Sequence, residues 1–198
     1  MFLVESYELS VFLCVITMIC WGSWANTQKL ASKSWSFPLY YWDYSIGVLL
    51  LSLIFGFTLG STGEIGRSFI EDLSQGSLEA FRSAFLGGVI FNIANLLIVA
   101  AISIAGMAVA FPIGIGIALV LGVIINYIAI PVGNPFILFS GVLIVVIAII
   151  IDALAYKRLS IKNEKTSSRG ILISIIGGIL MGFFYRFVAA SMVTDFEN

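Results

Sequence analysis

The chain is a succession of long apolar runs separated by short polar connections. Each run has at least about 20 residues, the length that a helix needs to cross roughly 30 Å of hydrocarbon. A spanning segment must satisfy its own backbone hydrogen bonds, so the runs are predicted to be helices. The short alternating segments typical of a transmembrane barrel do not occur in the sequence. The six runs occupy residues 7–27, 38–60, 83–103, 105–128, 135–156 and 170–193.

Composition places these helices in a lipid bilayer. The 198 residues are 60% hydrophobic and 11% charged, whereas a soluble domain carries about 25% charged residues. A core of this size cannot hide so much apolar surface from water. The sequence therefore predicts an all-α integral membrane protein with lipid as its solvent.

The connections differ in length and character. Residues 103–106 barely separate the third and fourth runs, which predicts a tight antiparallel hairpin. Residues 61–82 begin as a loop and continue as a short amphipathic stretch from Phe69, which predicts a small helix at the membrane interface. Residues 157–169 are polar and basic and are predicted to be a solvated linker.

The distribution of lysine and arginine predicts the orientation. The connections alternate between two sides of the membrane, and positive residues mark the cytoplasmic side. One side has Arg67 and Arg82; the other has Lys29, Lys33, Lys157, Arg158, Lys162, Lys165 and Arg169. The second side is predicted to be cytoplasmic, with the N-terminus outside.

The order of the helices suggests an internal repeat. Five helices precede the basic linker, and a second five-helix unit would enter the membrane with opposite orientation, as in many transporters. Aromatic residues surround a glycine at 21–26 and again at 181–186, a weak sequence similarity between the two units. We predict a first repeat at 1–156, a linker at 157–169 and the first helix of a truncated second repeat at 170–198. The chain would then hold six of ten helices.

Several kinds of chemistry are excluded by what the sequence lacks. It has no histidine and two cysteines, Cys14 and Cys20, so the usual ligands of a zinc or haem site are missing. The usual base for a serine or cysteine nucleophile is missing too. The net charge of −1 leaves no basic footprint for nucleic acid. No cofactor, metal or nucleic-acid partner is predicted.

Polar residues at membrane depth are the candidates for function, because they are costly there and usually face a bundle interior or a cavity. Asn92 and Asn95 lie three residues apart and share a helix face. Arg186 lies well inside the sixth run, where a guanidinium needs a partner or water. The alternative is structural: asparagines can hold helices together, and tryptophans can form an interfacial belt. The candidate solute-binding residues are Trp21, Trp24, Asn26, Asn92, Asn95 and Arg186.

Small residues predict close helix packing. Gly56 and Gly60, and likewise Gly178 and Gly182, are four apart, a spacing typical of helix contacts in membranes. Pro112 is predicted to kink the fourth helix.

Several of these residues also form a recognisable pattern. The segment Trp21-Gly22-Ser23-Trp24 with Asn26 and Lys29, followed by Trp42-Asp43-Tyr44, resembles the opening of the ureide permease and glucose/ribose porter branch of the drug/metabolite transporter superfamily. The resemblance spans about residues 15–157 and continues through Leu59-Gly60-x-x-Gly63, Leu73-Ser74-Gln75, Gly87-Gly88, Asn92-x-x-Asn95, Gly122 and Asn126-Tyr127.

The resemblance implies ten helices in two inverted halves and a secondary transporter of a small polar metabolite in the cell (inner) membrane. Trp21 and Trp24 would stack on an apolar or sugar face of the solute, and Asn26, Asn92 and Asn95 would hydrogen-bond its hydroxyl or amide groups. Arg186 would hold an anionic or carbonyl group, or pair with an acid in the second half. Transport would use an ion gradient or the solute's own gradient. Ureide permeases have a long central loop with a nucleotide-like motif, and the short 157–169 linker lacks it, which favours the sugar or general-permease side of this branch.

Two other classes stay open. The chain could be a membrane scaffold or assembly subunit that transports nothing, with all its polar residues serving as helix contacts. An integral-membrane enzyme is less favoured, because histidine and paired buried carboxylates are missing. A six-helix chain could also work as a homodimer.

Overall fold

The computed structural model describes residues 4, 6–31, 34–63, 66–159 and 167–192. Within these ranges the chain forms helices and no strands, which confirms the predicted all-α fold. The helices are α1 (Tyr7–Ala31), α2 (Phe37–Phe57), α3 (Phe69–Gln75), α4 (Leu78–Ala105), α5 (Met107–Ala129), α6 (Pro135–Leu159) and α7 (Ser168–Ser191). Six of them, all but α3, are long and apolar enough to cross a membrane. The predicted runs correspond to these six.

Helix ends differ from the ends of the apolar runs because capping sets them. α4 begins at Leu78, five residues before the run, since the Ser77 hydroxyl accepts a hydrogen bond from the Ala80 N–H at 3.1 Å. α2 ends at Phe57, before its run does. The linker prediction for 157–169 falls largely outside the described residues, as do Lys33, Lys162 and Lys165.

A single glycine separates α4 from α5. Gly106 has a φ of +81°, a left-handed conformation that glycine adopts without steric cost. Its N–H still bonds to the carbonyl of Ile102 at 2.9 Å. The predicted 103–106 connection is therefore one residue long, and α4 and α5 contact each other as a hairpin.

The chain divides after Gly76 into two compact units. The first holds α1, α2 and α3. Here α3 is the small helix predicted in the 61–82 connection, and a capping box starts it: the Ser68 hydroxyl accepts from the Glu71 N–H, and the Glu71 carboxylate accepts from the Ser68 N–H at 2.9 Å. Its place at the membrane interface stays a prediction.

The Gly56 and Gly60 spacing does not mark contact between two spanning helices within the described residues. A Cβ at Gly56 would lie 3.2 Å from the Phe69 ring of α3, and one at Gly60 would lie 2.8 Å from the Gly56 carbonyl oxygen. Gly60 lies beyond the end of α2, in the turn that follows. The two glycines instead let the chain fold back on α2, where Phe57 and Phe69 make an edge contact at 5.3 Å.

The second unit is built around α7, which packs against both α4 and α5. Along α4 the contacts run in opposite directions, with Gly87 against Val188 and Ala105 against Gly170. Along α5 they run in the same direction: Gly178 meets Gly114, and Gly182 meets Ala118, Leu121 and Gly122. α4 and α5 are therefore antiparallel to each other, as the hairpin prediction requires.

Glycines make this packing close. A Cβ at Gly178 would lie 2.5 Å from the carbonyl oxygen of Gly114, and a Cβ at Gly182 would lie 2.9 Å from the Leu121 Cβ. Backbones approach this closely only where side chains are absent. The predicted contact role of Gly178 and Gly182 is confirmed.

The small core of the unit lies between the same helices. Ala94, Ile98 and Met181 are buried there, with partly buried aromatic residues such as Phe91 and Phe184 around them. The Ser174 hydroxyl of α7 is fully buried and donates to the Ala110 carbonyl of α5. α6 lies against α5, where Ile149 fills the space beside Gly116. The kink at Pro112, inside α5, stays a prediction.

Candidate functional site

In the first unit, Trp24 belongs to an aromatic cluster between α1 and α2. Its ring meets the edge of Tyr44 with centroids 5.8 Å apart, and Tyr44 contacts Tyr41 at the same distance. The Thr27 and Tyr40 hydroxyls lie 3.1 Å apart. The Trp24 Nε1–H is buried and has no hydrogen-bond partner among the described residues. An indole N–H can only donate, so this group suits an acceptor atom.

The other two α1 candidates are placed differently. Trp21 is 48% exposed. Asn26 is exposed and, two residues after Trp24, lies about 200° around the helix from it. Within this unit the structure does not bring Asn26 to the face where Trp24 meets α2.

In the second unit, the two asparagines of α4 lie side by side at the border of the helix contact. Asn95 is 5% exposed beside the buried Ala94. Asn92 is exposed, and its Nδ2 donates to the Gly88 carbonyl at 2.8 Å. Both residues make further contacts. The two residues lie three apart on α4, as predicted, but they differ in burial: Asn95 is buried and Asn92 is exposed.

Arg186 lies at a cavity of about 290 Å³, at the end of the unit where α5 and α7 end and α6 begins. Polar lining comes from Asn126 and Tyr127 of α5 and from Tyr185 and Arg186 of α7. The remaining wall is apolar and consists of Val123, Ala129, Ile130, Val132, Leu138 and Ala189. Neither Asn92 nor Asn95 is part of this lining.

The polar groups of the cavity differ in whether they donate or accept hydrogen bonds. Arg186 offers up to five N–H donors and no acceptor. Asn126 donates from Nδ2 to the Gly122 carbonyl at 2.8 Å, which leaves its Oδ1 to accept. The ring of Tyr127 is held by an edge contact with Phe139 at 5.4 Å. The cavity therefore combines a fixed positive charge with an amide and two phenol groups.

The helix register gives the depth of these groups. The antiparallel contacts of α4 and α7 place Phe183 level with Asn92. Arg186 lies three residues beyond Phe183, about 4.5 Å along the axis from the level of Asn92. Asn95 lies on the other side of Asn92, about 9 Å from the level of Arg186. Arg186 and the asparagines thus occupy successive levels of the bundle, with Arg186 nearer the end of α7.

Asn126, Tyr127 and Tyr185 were not among the predicted site residues. Asn126 and Tyr127 appeared in the pattern that carries the family resemblance. Their association with Arg186 depends on the parallel packing of α5 and α7, which brings together residues about 60 positions apart in the chain. No local pattern carries that information.

The described residues contain no group of three or more histidine, cysteine or acidic side chains that could hold a metal ion. Cys14 and Cys20 are free and exposed.

Comparison with known proteins identifies the family. The family model for ureide permease matches residues 40–171, more than half of the chain. The chain belongs to the ureide permease family. Ureide permease 2 of Arabidopsis thaliana is 30% identical over 131 residues, and ureide permease 1 of the same plant is 27% identical over 128 residues. Each alignment covers 64% of this chain and 33% of the relative.

Membership has two consequences. Six apolar helices in a permease family make this a multi-pass membrane protein. Permeases move solutes rather than convert them, which agrees with the prediction that the chain is not an enzyme. The chain spans about a third of the length of the curated relatives that it matches. No solved structure matches it.

Proposed function

We propose that the protein transports a small polar solute of the ureide class across the membrane by alternating access. The observation that carries this is the family match over residues 40–171, which contains α4, α5, α6 and most of α2, with both asparagines of α4. The relatives are named ureide permeases, and a ureide offers carbonyl acceptors and N–H donors to amide and guanidinium side chains.

The proposed solute-binding residues are those predicted from the sequence: Trp21, Trp24, Asn26, Asn92, Asn95 and Arg186. The buried Trp24 N–H, for which the described residues offer no hydrogen-bond partner, supports a role for α1. The cavity at Arg186 supports a role for α7. Asn95 is 5% exposed, so it would reach the solute only when the contact between α4 and its neighbours opens, a movement that alternating access supplies.

The remaining features are proposals of the same kind. They are ten helices in two inverted halves, of which α7 would open the second, location in the cell membrane, transport driven by an ion or solute gradient, and pairing of two copies. We also propose membership of the drug/metabolite transporter superfamily, and the inverted repeats of many secondary transporters supply the template for this architecture.

A sugar is the second candidate solute. It is favoured by the short connection between α6, which ends at Leu159, and α7, which begins at Ser168, because the resemblance associates a long central loop with ureide permeases. A stacking tryptophan and hydrogen-bonding asparagines suit either solute.

Uptake into vesicles that contain the purified intact protein tests the proposal. We expect labelled hydantoin, a cyclic ureide, to accumulate above the level of empty vesicles, and unlabelled hydantoin to compete better than glucose. Better competition by glucose would assign the protein to sugars. If folded protein takes up neither compound, nor any other ureide or sugar, the chain is a scaffold and the proposal is wrong.

A further inference from the structure

The guanidinium of Arg186 has no ion-pair or hydrogen-bond partner among the described residues. The described residues that line its cavity include no acidic side chain. In the described part of this unit the acidic side chains are Glu79 in the first turn of α4 and Asp152 near the other end of α6. The helix registers place both about 14 Å or more from the level of Arg186 along the bundle axis.

A charge in a membrane helix normally faces a partner or a water-filled cavity. The cavity at Arg186 has about 290 Å³, close to the lower limit of pockets that hold small molecules. Its walls are mostly apolar, and its polar groups converge from two helices. Such a lining favours a small solute with one charged end.

The charge of the side chain distinguishes between solute groups. A hydrogen bond to an ionised group is about twice as strong as one between neutral groups, and the planar guanidinium can bind a carboxylate through two parallel bonds. A neutral carbonyl uses only part of that capacity. The group that fits Arg186 best is therefore a carboxylate.

We propose that this cavity binds the carboxylate of an acidic ureide, with Arg186 on the carboxylate and with Asn126, Tyr127 and Tyr185 on the ureido group. The Asn126 Oδ1 accepts from a ureido N–H, and a tyrosine hydroxyl donates to the ureido carbonyl. This inference rests on the proposed function and adds a preference for anionic over neutral ureides.

A matched pair of ligands tests it on the intact protein in lipid nanodiscs. N-carbamoylglycine and N-carbamoylglycinamide differ only in a carboxylate against a carboxamide, and calorimetry gives the dissociation constant of each. We expect the acid to bind at least about tenfold more tightly. Arg186→Gln should abolish that ratio, Arg186→Lys should keep part of it, and Arg169→Gln, at the other end of α7, should leave it unchanged.

Three results would overturn the inference. Equal binding of acid and amide by the unsubstituted protein would do so even if Arg186→Gln fails to fold. An unchanged ratio in a folded Arg186→Gln protein would mean that the arginine serves another partner. Loss of the ratio on adding phosphatidylglycerol to phosphatidylcholine would assign the guanidinium to a lipid phosphate. If hydantoin is taken up but the acid and the amide bind equally, only this inference fails and the proposed function stands. If no ureide is taken up at all, the proposed function fails as well.

Discussion

At individual residues, glycines decide where α7 lies, because they have no side chain to hold it away from its neighbours. Gly178 and Gly182 remove the atoms that would keep α7 away from α5, and Gly87 does the same on α4. At Gly88, the neighbour of Gly87, an added Cβ would meet no described heavy atom within 4 Å beyond the adjoining backbone of its own helix. The unit therefore contains glycines that must stay small and one that need not.

Replacing Gly178 by alanine should destabilise the protein. The new Cβ would overlap the Gly114 carbonyl oxygen, a backbone atom that cannot turn away, and such overpacking costs about 1–3 kcal/mol. Gly88→Ala is the control and should be neutral or slightly stabilising, because alanine is the better helix former. Unfolding in detergent measures both. Equal stability of the two variants would contradict the packing described for α5 and α7.

The asparagines of α4 should respond differently to the same change. Asn92 is exposed and Asn95 is buried, so Asn95→Ala should lower the melting temperature more than Asn92→Ala. If Asn92 binds the solute, its replacement should weaken affinity about 5- to 150-fold, the loss of one or two hydrogen bonds. Melting and solute binding are measured on the same preparations. Unchanged affinity in Asn92→Ala would remove it from the site.

At the scale of elements, the apolar runs predicted the spanning helices because lipid imposes both their length and their hydrogen bonding. Their ends were less predictable, since Ser77 starts α4 through a side-chain hydrogen bond outside the apolar run. The glycine spacing predicted that α7 packs closely against another helix but did not show that this helix is α5. Arg186 stood out as a charge in an apolar run, whereas its cavity depends on how α5, α6 and α7 meet.

The small helix α3 should weaken in acid. Hydrogen bonds from the Ser68 backbone and side chain, helped by the Arg67 charge, lower the pKa of Glu71 below its ordinary value of 4.5. A carboxylate with a lowered pKa stabilises the helix above its ordinary pKa, and this stabilisation is lost as the pH falls through the lowered value.

Amide exchange in Phe69–Gln75, corrected for the intrinsic effect of pH, should therefore rise as the pH falls below 4.5. Glu71→Gln is the control: it keeps a side-chain oxygen for the capping box and has no proton to gain, so its exchange should stay level. Parallel behaviour of the two proteins would show that the Glu71 charge does not hold this helix.

At the scale of the whole molecule, the positive residues predict that the N-terminus lies outside and the 157–169 linker inside. Single cysteines at Ser6 and Ser167, in a background with Cys14→Ala and Cys20→Ala, test this with an impermeant maleimide. Ser6→Cys should react on intact cells, and Ser167→Cys should react only after the cells are opened. The reverse pattern would invert the orientation.

We propose that Arg186 holds part of the transported solute. Hydantoin uptake by vesicles that contain the intact Arg186→Ala protein tests this role. Gel filtration measures the folded fraction of each preparation. Per folded molecule, we predict at least about fivefold lower hydantoin uptake than for the unsubstituted protein. Arg169→Ala, the control on the same helix, should transport normally. Unchanged uptake per folded molecule of Arg186→Ala would show that Arg186 does not hold the solute.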